Sequence, residues 1–224
     1  MRHNFRTLLI PLLLAASLQA RQQVPILSDA VVQDSETAAC DVLKNSIAEL
    51  HLDTRKPDRY WFCDFTVTKN EYVRIVGLRS SQPRDDGATV YSNLLGWYAV
   101  ARRSHVVLQW DLNEDRLVPE TSRGWSDVPV VENSEQAACD VLKTRLVGVL
   151  GVNGSPDPSW VCEFSSQMNE YLYLIALRSV SNRSAPLASA RLVGKFAVGK
   201  RSNVVLAFDE ARNRLVALRL PAGK

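Results

Sequence analysis

The sequence predicts an α+β protein built as a tandem duplication, each repeat being one N-terminal helix packed on an antiparallel sheet of about four strands. Two observations predict this class. The stretch SETAACDVLK at 35–44 returns 99 residues later as SEQAACDVLK at 134–143. In both copies, apolar residues first recur at helical spacing and then alternate with polar ones as in strands. A helix followed by a run of strands is typical of a two-layer α+β fold.

The first residues predict a cleavable signal peptide at 1–20. Arg2 and Arg6 give a positively charged start, and a short apolar run follows at 8–16. A membrane anchor is the weaker alternative, because a spanning helix needs roughly 20 apolar residues to cross about 30 Å of hydrocarbon. We expect cleavage after Ala20 and a mature chain that is periplasmic or secreted and is not inserted in a membrane.

The repeat sets the expected domain boundaries. After the signal peptide, we expect a first α+β repeat at 21–119, a linker at 120–125 and a second α+β repeat at 126–224. Both repeats have the length of small domains. The offset between equivalent residues falls from 99 to 98 in the polar loops at 80–92 and 179–190, which predicts that these loops are exposed.

The charge of the mature chain argues against nucleic acid as a partner. Loss of Arg2 and Arg6 with the leader lowers the count of Lys and Arg from 27 to 25, against 24 Asp and Glu, so the mature net charge is +1. Proteins that bind nucleic acid typically carry a strong positive charge on one face. We therefore do not expect a nucleic-acid partner.

The four cysteines predict one disulfide in each repeat. Cys40 and Cys63 are separated by 23 residues, and so are Cys139 and Cys162. Exported chains fold in an oxidising compartment where such pairs persist. A four-cysteine zinc site is the alternative, but the CxxC spacing of such sites is absent. We expect the disulfides to stabilise the fold by on the order of 3 kcal/mol each, and we expect no metal and no cofactor.

The first helix is expected to begin at Asp34 or Ser35 and the second at Asn133 or Ser134, because these side chains can accept a hydrogen bond from a free amide of the first turn. Apolar residues then recur at helical spacing and form the expected buried face. These residues are Cys40, Leu43, Ile47 and Leu50 in the first repeat, and Cys139, Leu142, Leu146 and Val149 in the second.

Strand patterns follow each helix. The segment at 60–68 alternates apolar and polar residues and points Cys63 at the helix. The segment at 71–79 is apolar on both faces, which is typical of an interior strand, and its Gly77, like Ala176 in repeat two, is expected to let the helix approach closely. The segment at 96–111 reads as a hairpin with a tight basic turn. The matching segments of repeat two are 160–164, 170–178 and 194–209, and short runs follow at 117–118 and 215–216.

In this order of elements, each repeat resembles cystatin-like or NTF2-like modules. The resemblance implies a helix lying against a curved sheet. The tandem arrangement is similar, in architecture only, to an exported α/β protein that inhibits β-lactamases, which is a precedent for an inhibitory role.

The residues do not favour an enzyme. The mature chain has only two histidines, His51 and His105, whose counterparts are Leu150 and Asn203. The motifs HExxH and GxSxG and a glycine-rich phosphate loop are absent. With all cysteines paired, no thiol nucleophile remains. We expect no enzymatic activity and no catalytic residue.

A carboxylate-dependent hydrolase is the remote alternative, because acids recur at equivalent positions in the two repeats and carboxylate pairs catalyse glycoside hydrolysis. We expect these acids instead to face solvent or to pair with Arg79 and Arg178. The acids are Asp64, Glu71, Glu163 and Glu170.

Several aromatic and basic residues are candidate contacts for a partner. Trp97 differs most between the repeats, because its counterpart is Lys195. Tryptophan and arginine are the usual anchors of protein interfaces. We therefore expect a binding protein that contacts another protein, as an enzyme inhibitor or as an immunity protein against a toxin. A small-molecule or glycan-binding envelope module is the alternative. The candidate contacts are Trp97, Arg102, Arg103, His105, Lys200 and Arg201.

Overall fold

The computed structural model describes eight stretches of the chain. These stretches are residues 30–51, 60–66, 70–83, 90–120, 128–150, 155–166, 169–180 and 189–218. The signal peptide predicted at 1–20 and most of the linker predicted at 120–125 lie outside them, as do residues 84–89 and 181–188 of the two predicted loops. Those assignments stay predictions. The rest of the first predicted loop differs from expectation: residues 80–83 and 90–92 extend two antiparallel strands, with Ser81 paired to Ser92.

Each repeat forms one helix and a sheet of five strands. In repeat one these are α1 (Glu36–His51), β1 (Trp61–Phe65), β2 (Val73–Pro83), β3 (Val90–Ala101), β4 (Val107–Asp111) and β5 (Arg116–Pro119). In repeat two they are α2 (Glu135–Leu150), β6 (Trp160–Phe164), β7 (Leu172–Ser179), β8 (Arg191–Gly199), β9 (Val205–Asp209) and β10 (Arg214–Ala217).

Both sheets are antiparallel meanders. The strand orders are β1-β2-β3-β4-β5 and β10-β9-β8-β7-β6, so consecutive strands are neighbours. The structure confirms the α+β class and the repetition of one helix and one sheet. The expected number of strands was one too low, because the short run at 117–118 lies in a strand that pairs with β4, and the run at 215–216 in one that pairs with β9.

The helices and disulfides form as the sequence predicts. The hydroxyl of Ser35 accepts a hydrogen bond from the Ala38 amide at 3.2 Å. Disulfides join Cys40 to Cys63 and Cys139 to Cys162, with Cα atoms 5.8 and 6.0 Å apart. One detail of the buried face differs: Leu50, close to the end of α1, is 39% exposed.

The two sheets pack against each other through their faces that lack a helix. One buried cluster contains residues of both repeats, among them Val73 and Ile75 from β2 and Leu172 and Leu174 from β7. Alternate residues of β2, including Val76, pack instead under α1. The layers are therefore helix, sheet, sheet, helix. This arrangement explains why β2 is apolar on both faces: one face is covered by the helix and the other by the second sheet.

A buried arginine at the start of β5 joins repeat one to repeat two. Arg116 donates from Nε to Asp111 Oδ2 at 3.0 Å, and the side chains are 3% and 0% exposed. The same guanidinium donates to the carbonyls of Val128 at 2.9 Å, Pro129 at 2.8 Å and Arg201 at 3.3 Å, all in repeat two. Repeat one therefore holds both the segment that enters α2 and the tip of the β8-β9 hairpin.

An equivalent buried arginine of repeat two, Arg214, contacts the backbone of repeat one. Arg214 donates from Nε to Asp209 Oδ2 at 3.1 Å, and from Nη1 to the carbonyls of Ala30 at 3.3 Å and Arg103 at 3.4 Å in repeat one. The pKa of Asp209 would be raised by burial alone, but hydrogen bonds from Arg214 and Arg212 hold it below its ordinary value.

Two equivalent asparagines meet where the repeats adjoin. Asn70 Nδ2 donates to Asn169 Oδ1 at 3.4 Å, and Asn169 Nδ2 donates to Asn70 Oδ1 at 3.3 Å. Each Oδ1 also accepts the backbone amides two and three residues later, which for Asn70 are those of Tyr72 at 2.9 Å and Val73 at 3.1 Å. This reciprocal pair satisfies buried polar groups in both repeats at once.

Candidate binding surfaces

The tips of the two long hairpins carry most of the predicted contact residues. Arg103 has a φ of 59° and Arg201 a φ of 57°, in the left-handed region that tight turns use. The carbonyl of Arg103 accepts the Val32 amide at 3.3 Å, and that of Arg201 accepts the Val131 amide at 3.1 Å. The backbone of each tip is therefore anchored to the segment that enters the helix of its own repeat.

In repeat one, two arginines of the hairpin tip and one arginine of β2 surround Asp34. Arg74, Arg102 and Arg103 approach its carboxylate to 2.8, 3.3 and 3.8 Å. Burial alone would raise the pKa of Asp34, but the hydrogen bond from Arg74 and the charges of Arg102 and Arg74 hold it below its ordinary value. Arg102 also donates to the Asn70 carbonyl at 2.9 Å. Arg102 and Arg103 thus have partners within the chain, and their contact with another protein stays a prediction.

In repeat two, the tip cations also have internal contacts. Arg201 pairs with Glu114 of repeat one at 2.7 Å, and the ammonium of Lys200 lies 5.3 Å from the centre of the Tyr173 ring. His105, next to the first tip, is exposed. For these three residues, too, a role in partner contact stays a prediction.

Two of the predicted acids pair with arginines, as expected. Asp64 meets Arg79 at 3.4 Å and Glu163 meets Arg178 at 2.5 Å. These pairs lie on the sheet surface, where an ion pair contributes little net stability. Within the stretches that the structure describes, no group of three or more His, Cys, Asp or Glu side chains is placed to hold a metal ion.

Trp97 lies at the margin of the interface between the sheets. Its side chain is half-buried and packs against the shared core. The indole meets Trp110 edge-on, with ring centroids 6.2 Å apart, and Trp110 meets Tyr171 of repeat two in the same way at 5.7 Å. Edge-to-face contacts are favourable for aromatic rings. Trp97, Trp110 and Tyr171 therefore form a continuous row of three rings that crosses from repeat one to repeat two.

The glycine beside Trp97 makes room for its indole ring. Gly77 is its cross-strand neighbour, and a Cβ on Gly77 would lie 3.2 Å from Cζ3 of Trp97 and 3.4 Å from Cδ1 of Leu94. The prediction that Gly77 lets the helix approach is wrong. Strand alternation places Gly77 on the same face as Val73 and Ile75, away from α1.

Two exposed leucines are grouped with Trp97, Leu94 by its position over Gly77 and Leu112 by its equivalence to Glu210, the partner of Lys195. Leu94, which shares the space over Gly77, is 43% exposed, and Leu112 is 54% exposed. Leu112 corresponds to Glu210 of repeat two, just as Trp97 corresponds to Lys195. We call Leu94, Trp97 and Leu112 the Trp97 surface.

Repeat two has a charged pair and a cavity at the corresponding place. The ammonium of Lys195 lies 2.5 Å from Glu210, which follows β9. A cavity of about 590 Å³ opens between this part of the sheet and residues of repeat one, within the usual range of ligand sites, about 300 to 1,000 Å³. We call it the Lys195 cavity. Among the residues that line it are Tyr72, Leu174, Ala176, Lys195, Phe208 and Glu210.

The sheet face is covered less completely in repeat two than in repeat one. Gly77 is buried, whereas its counterpart Ala176 is only half-buried. Ile75 is 1% exposed and its counterpart Leu174 is 9% exposed. The replacement of Trp97 by a lysine therefore leaves apolar sheet surface accessible from the cavity.

The tyrosines at both margins have raised pKa values. Burial raises the pKa of Tyr171 to about 12, and the negative charges of Glu170 and Asp115 add to the effect. Burial, followed by the charge of Glu71, also raises the pKa of Tyr72. Both side chains are therefore neutral at physiological pH.

The sequence did not reveal which residues contact Trp97 and Lys195. Comparing the repeats position by position would have shown that Leu112 replaces Glu210 where Trp97 replaces Lys195. That Lys195 and Glu210 meet became clear only from the fold, because 15 residues separate them along the chain.

The chain matches no family model, no curated protein and no solved structure. Neither helix in the described stretches has the length and apolar character needed to cross a membrane.

Proposed function

We propose that this chain is an exported, non-enzymatic binding protein that acts by contact with another protein, as an inhibitor of an enzyme or as an immunity protein against a toxin. The Trp97 surface carries the proposal. Repeat two has an ion pair, Lys195 with Glu210, where repeat one has Trp97 and Leu112. Because the same fold accepts charged residues at these positions, folding does not require the apolar ones.

The make-up of the Trp97 surface suits a protein interface. Tryptophan is among the residues that contribute most to binding energy when an interface buries them. The ring of Trp97 is already held by Trp110, so binding would order few further rotatable bonds. Arg79 lies on β2, beside the strand of Trp97, and its partner Asp64 lies on β1 beyond it. An apolar centre with a polar rim is usual for interfaces.

The two disulfides support an exported location, because such bonds form and persist in oxidising compartments. The proposed location is the periplasm or the extracellular space, reached through the signal peptide at 1–20. We also propose that each repeat is a divergent module of the cystatin-like or NTF2-like kind, an interpretation supported by its helix-first order.

The experiment transfers the charged pair of repeat two to repeat one through the substitutions Trp97→Lys and Leu112→Glu. Tagged protein is incubated with an envelope extract of its source cells, captured proteins are identified by mass spectrometry, and the affinity for the identified partner is measured. We expect the double variant to bind at least about 30-fold more weakly, because loss of an interface hot spot costs about 2 kcal/mol or more.

Leu192→Glu is the matched control, because Leu192 is the 45% exposed counterpart of Leu94 in repeat two. It should bind the partner like the unaltered protein. Thermal unfolding of each variant checks that the fold is kept. Equal capture of the partner by the double variant would contradict the assignment of this surface.

The Lys195 cavity favours a second candidate function, the binding of a small molecule or glycan. Its volume of about 590 Å³ is sufficient for such a ligand. Calorimetric titration with candidate ligands should then show one saturable site per chain. That site should persist when Trp97→Lys and Leu112→Glu are introduced, which separates this function from contact with a protein at the Trp97 surface.

A further inference from the structure

The interface between the two sheets has one margin beside Trp97 in repeat one and another beside Lys195 in repeat two. Because the repeats are duplicates, these margins are structurally equivalent. The side chains packed at the first margin therefore show what kind of group the second can accommodate. In repeat one, Trp97 packs edge-on against Trp110, which packs against Tyr171. In repeat two, Phe208 packs edge-on against Tyr72, with ring centroids 5.7 Å apart and planes at 86°. Phe208 and Tyr72 thus correspond to Trp110 and Tyr171 in this row of rings. The position of the remaining ring, that of Trp97, is occupied by Lys195 in repeat two.

The position of the missing ring is open in repeat two. Trp97 covers Gly77 on the neighbouring strand, but the ammonium of Lys195 lies beside Glu210 at the opposite side of its strand. Ala176, the counterpart of Gly77, lines the cavity and is half-buried. The space that an indole fills in repeat one is therefore open to the Lys195 cavity in repeat two, except for the part nearest the sheet, which the Cβ of Ala176 occupies.

We propose that the Lys195 cavity binds a planar aromatic ring of indole size, which lies on Ala176 with Phe208 at its edge. This inference deepens the second candidate function by naming the chemistry of the ligand. It is independent of the protein partner proposed for repeat one. The ring can be carried by a small molecule or by a tryptophan side chain of a peptide, since both present the same surface.

Lys195 would contribute to the affinity without being the main source of it. An ammonium group close to the face of an aromatic ring is attracted by the ring's electrons. Its present pair with Glu210 is 35% and 66% exposed, and exposed ion pairs are weak. The ammonium group can therefore leave Glu210 and turn toward a bound ring at little cost.

The test is a calorimetric titration of the full chain with N-acetyl-L-tryptophanamide. We expect one site per chain with a Kd on the order of 0.1 to 1 mM, as suits a ligand of this size. Lys195→Trp combined with Ala176→Gly reproduces the residues of repeat one and fills the space, so binding should be lost. Lys195→Met removes the charge but leaves the space, so binding should weaken only about two- to five-fold.

The reverse transfer keeps the proposal testable if the filled variant does not fold. Trp97→Lys with Leu112→Glu opens the equivalent space in repeat one, so the number of sites should rise from one to two. A parallel titration with the peptide Gly-Gly-Trp-Gly-Gly identifies the source of the ring: tighter binding than the amide indicates a peptide, and equal binding indicates a small molecule. Absence of saturable binding by the unaltered protein, or undiminished binding by the filled variant, overturns the proposal.

Discussion

Replacement of Arg116 by methionine tests how the two repeats are joined. Methionine is uncharged and fills the space of the aliphatic part of the arginine side chain, so the substitution removes the interactions of the guanidinium and keeps most of the apolar packing. It leaves Asp111, whose side chain is 0% exposed, without its cation. It also removes the donor from the carbonyls of Val128, Pro129 and Arg201 in repeat two.

The expected loss of unfolding free energy is about 3 to 5 kcal/mol, because breaking a buried ion pair leaves an uncompensated charge. The same substitution at Arg214 is the matched comparison. Asp209 would keep a second partner, Arg212, at 3.1 Å, whereas the counterpart of Arg212 in repeat one is the acidic Glu114. We therefore expect Arg214→Met to cost only about 1.5 to 3 kcal/mol, the value of a hydrogen bond to a charged group.

Urea unfolding of the oxidised protein measures both losses. With a denaturant dependence of about 2 kcal/mol per M, the midpoint should fall by about 1.5 to 2.5 M for Arg116→Met and by about 1 M for Arg214→Met. Adding Asp111→Asn to Arg116→Met should restore part of the loss, since the unpaired charge is then gone. A loss below about 1 kcal/mol for Arg116→Met, or a larger loss for Arg214→Met, would refute this reasoning.

Three further predictions concern stability and ionisation. Replacing Cys40 and Cys63 together by alanine should lower the unfolding free energy by about 3 kcal/mol in urea titrations, and an unchanged midpoint would count against the loop-entropy argument for this 23-residue separation. The pKa of Asp34 in the folded state is below its ordinary 3.8. The stabilising effect of its carboxylate is therefore complete above pH 3.8 and is lost as the pH falls below the folded-state pKa. The difference in unfolding free energy between about pH 5 and pH 2.5 should then be smaller in Asp34→Asn than in the unaltered protein, and an equal difference would be contrary evidence. Burial raises the pKa values of Tyr98 and Tyr171 to about 12. In a spectroscopic pH titration, Tyr98→Phe and Tyr171→Phe should therefore each remove part of the ultraviolet absorbance change near pH 12. Loss of absorbance change at a lower pH instead would show that the assignment is wrong.

Features that depend on short stretches were predictable from the sequence. The duplication is visible as a repeated ten-residue segment, and helical spacing placed Cys40 opposite Cys63. Serine caps such as Ser35 act within one turn of a helix. These features need only local spacing and a single short-range contact, and each occurs twice, which makes the pattern easier to detect.

The candidate binding surfaces were only partly predictable. The difference between Trp97 and Lys195 can be seen in the sequence, but a residue type does not state which neighbour it meets. The indole of Trp97 lies over Gly77, on the face that the sequence had assigned to helix packing. Likewise, Arg103 was recognisable as a basic hairpin tip, but its carbonyl accepts a hydrogen bond from Arg214 of the other repeat.

By itself, the sequence determined that the chain is a duplicated α+β protein with one disulfide in each copy. The tertiary structure alone decided that the two sheets meet face to face, that a buried arginine of each repeat holds the other, and that a cavity opens at Lys195. The physical reason is that alternation along a strand shows which faces are apolar, whereas the element that covers each face depends on contacts between residues distant in the chain.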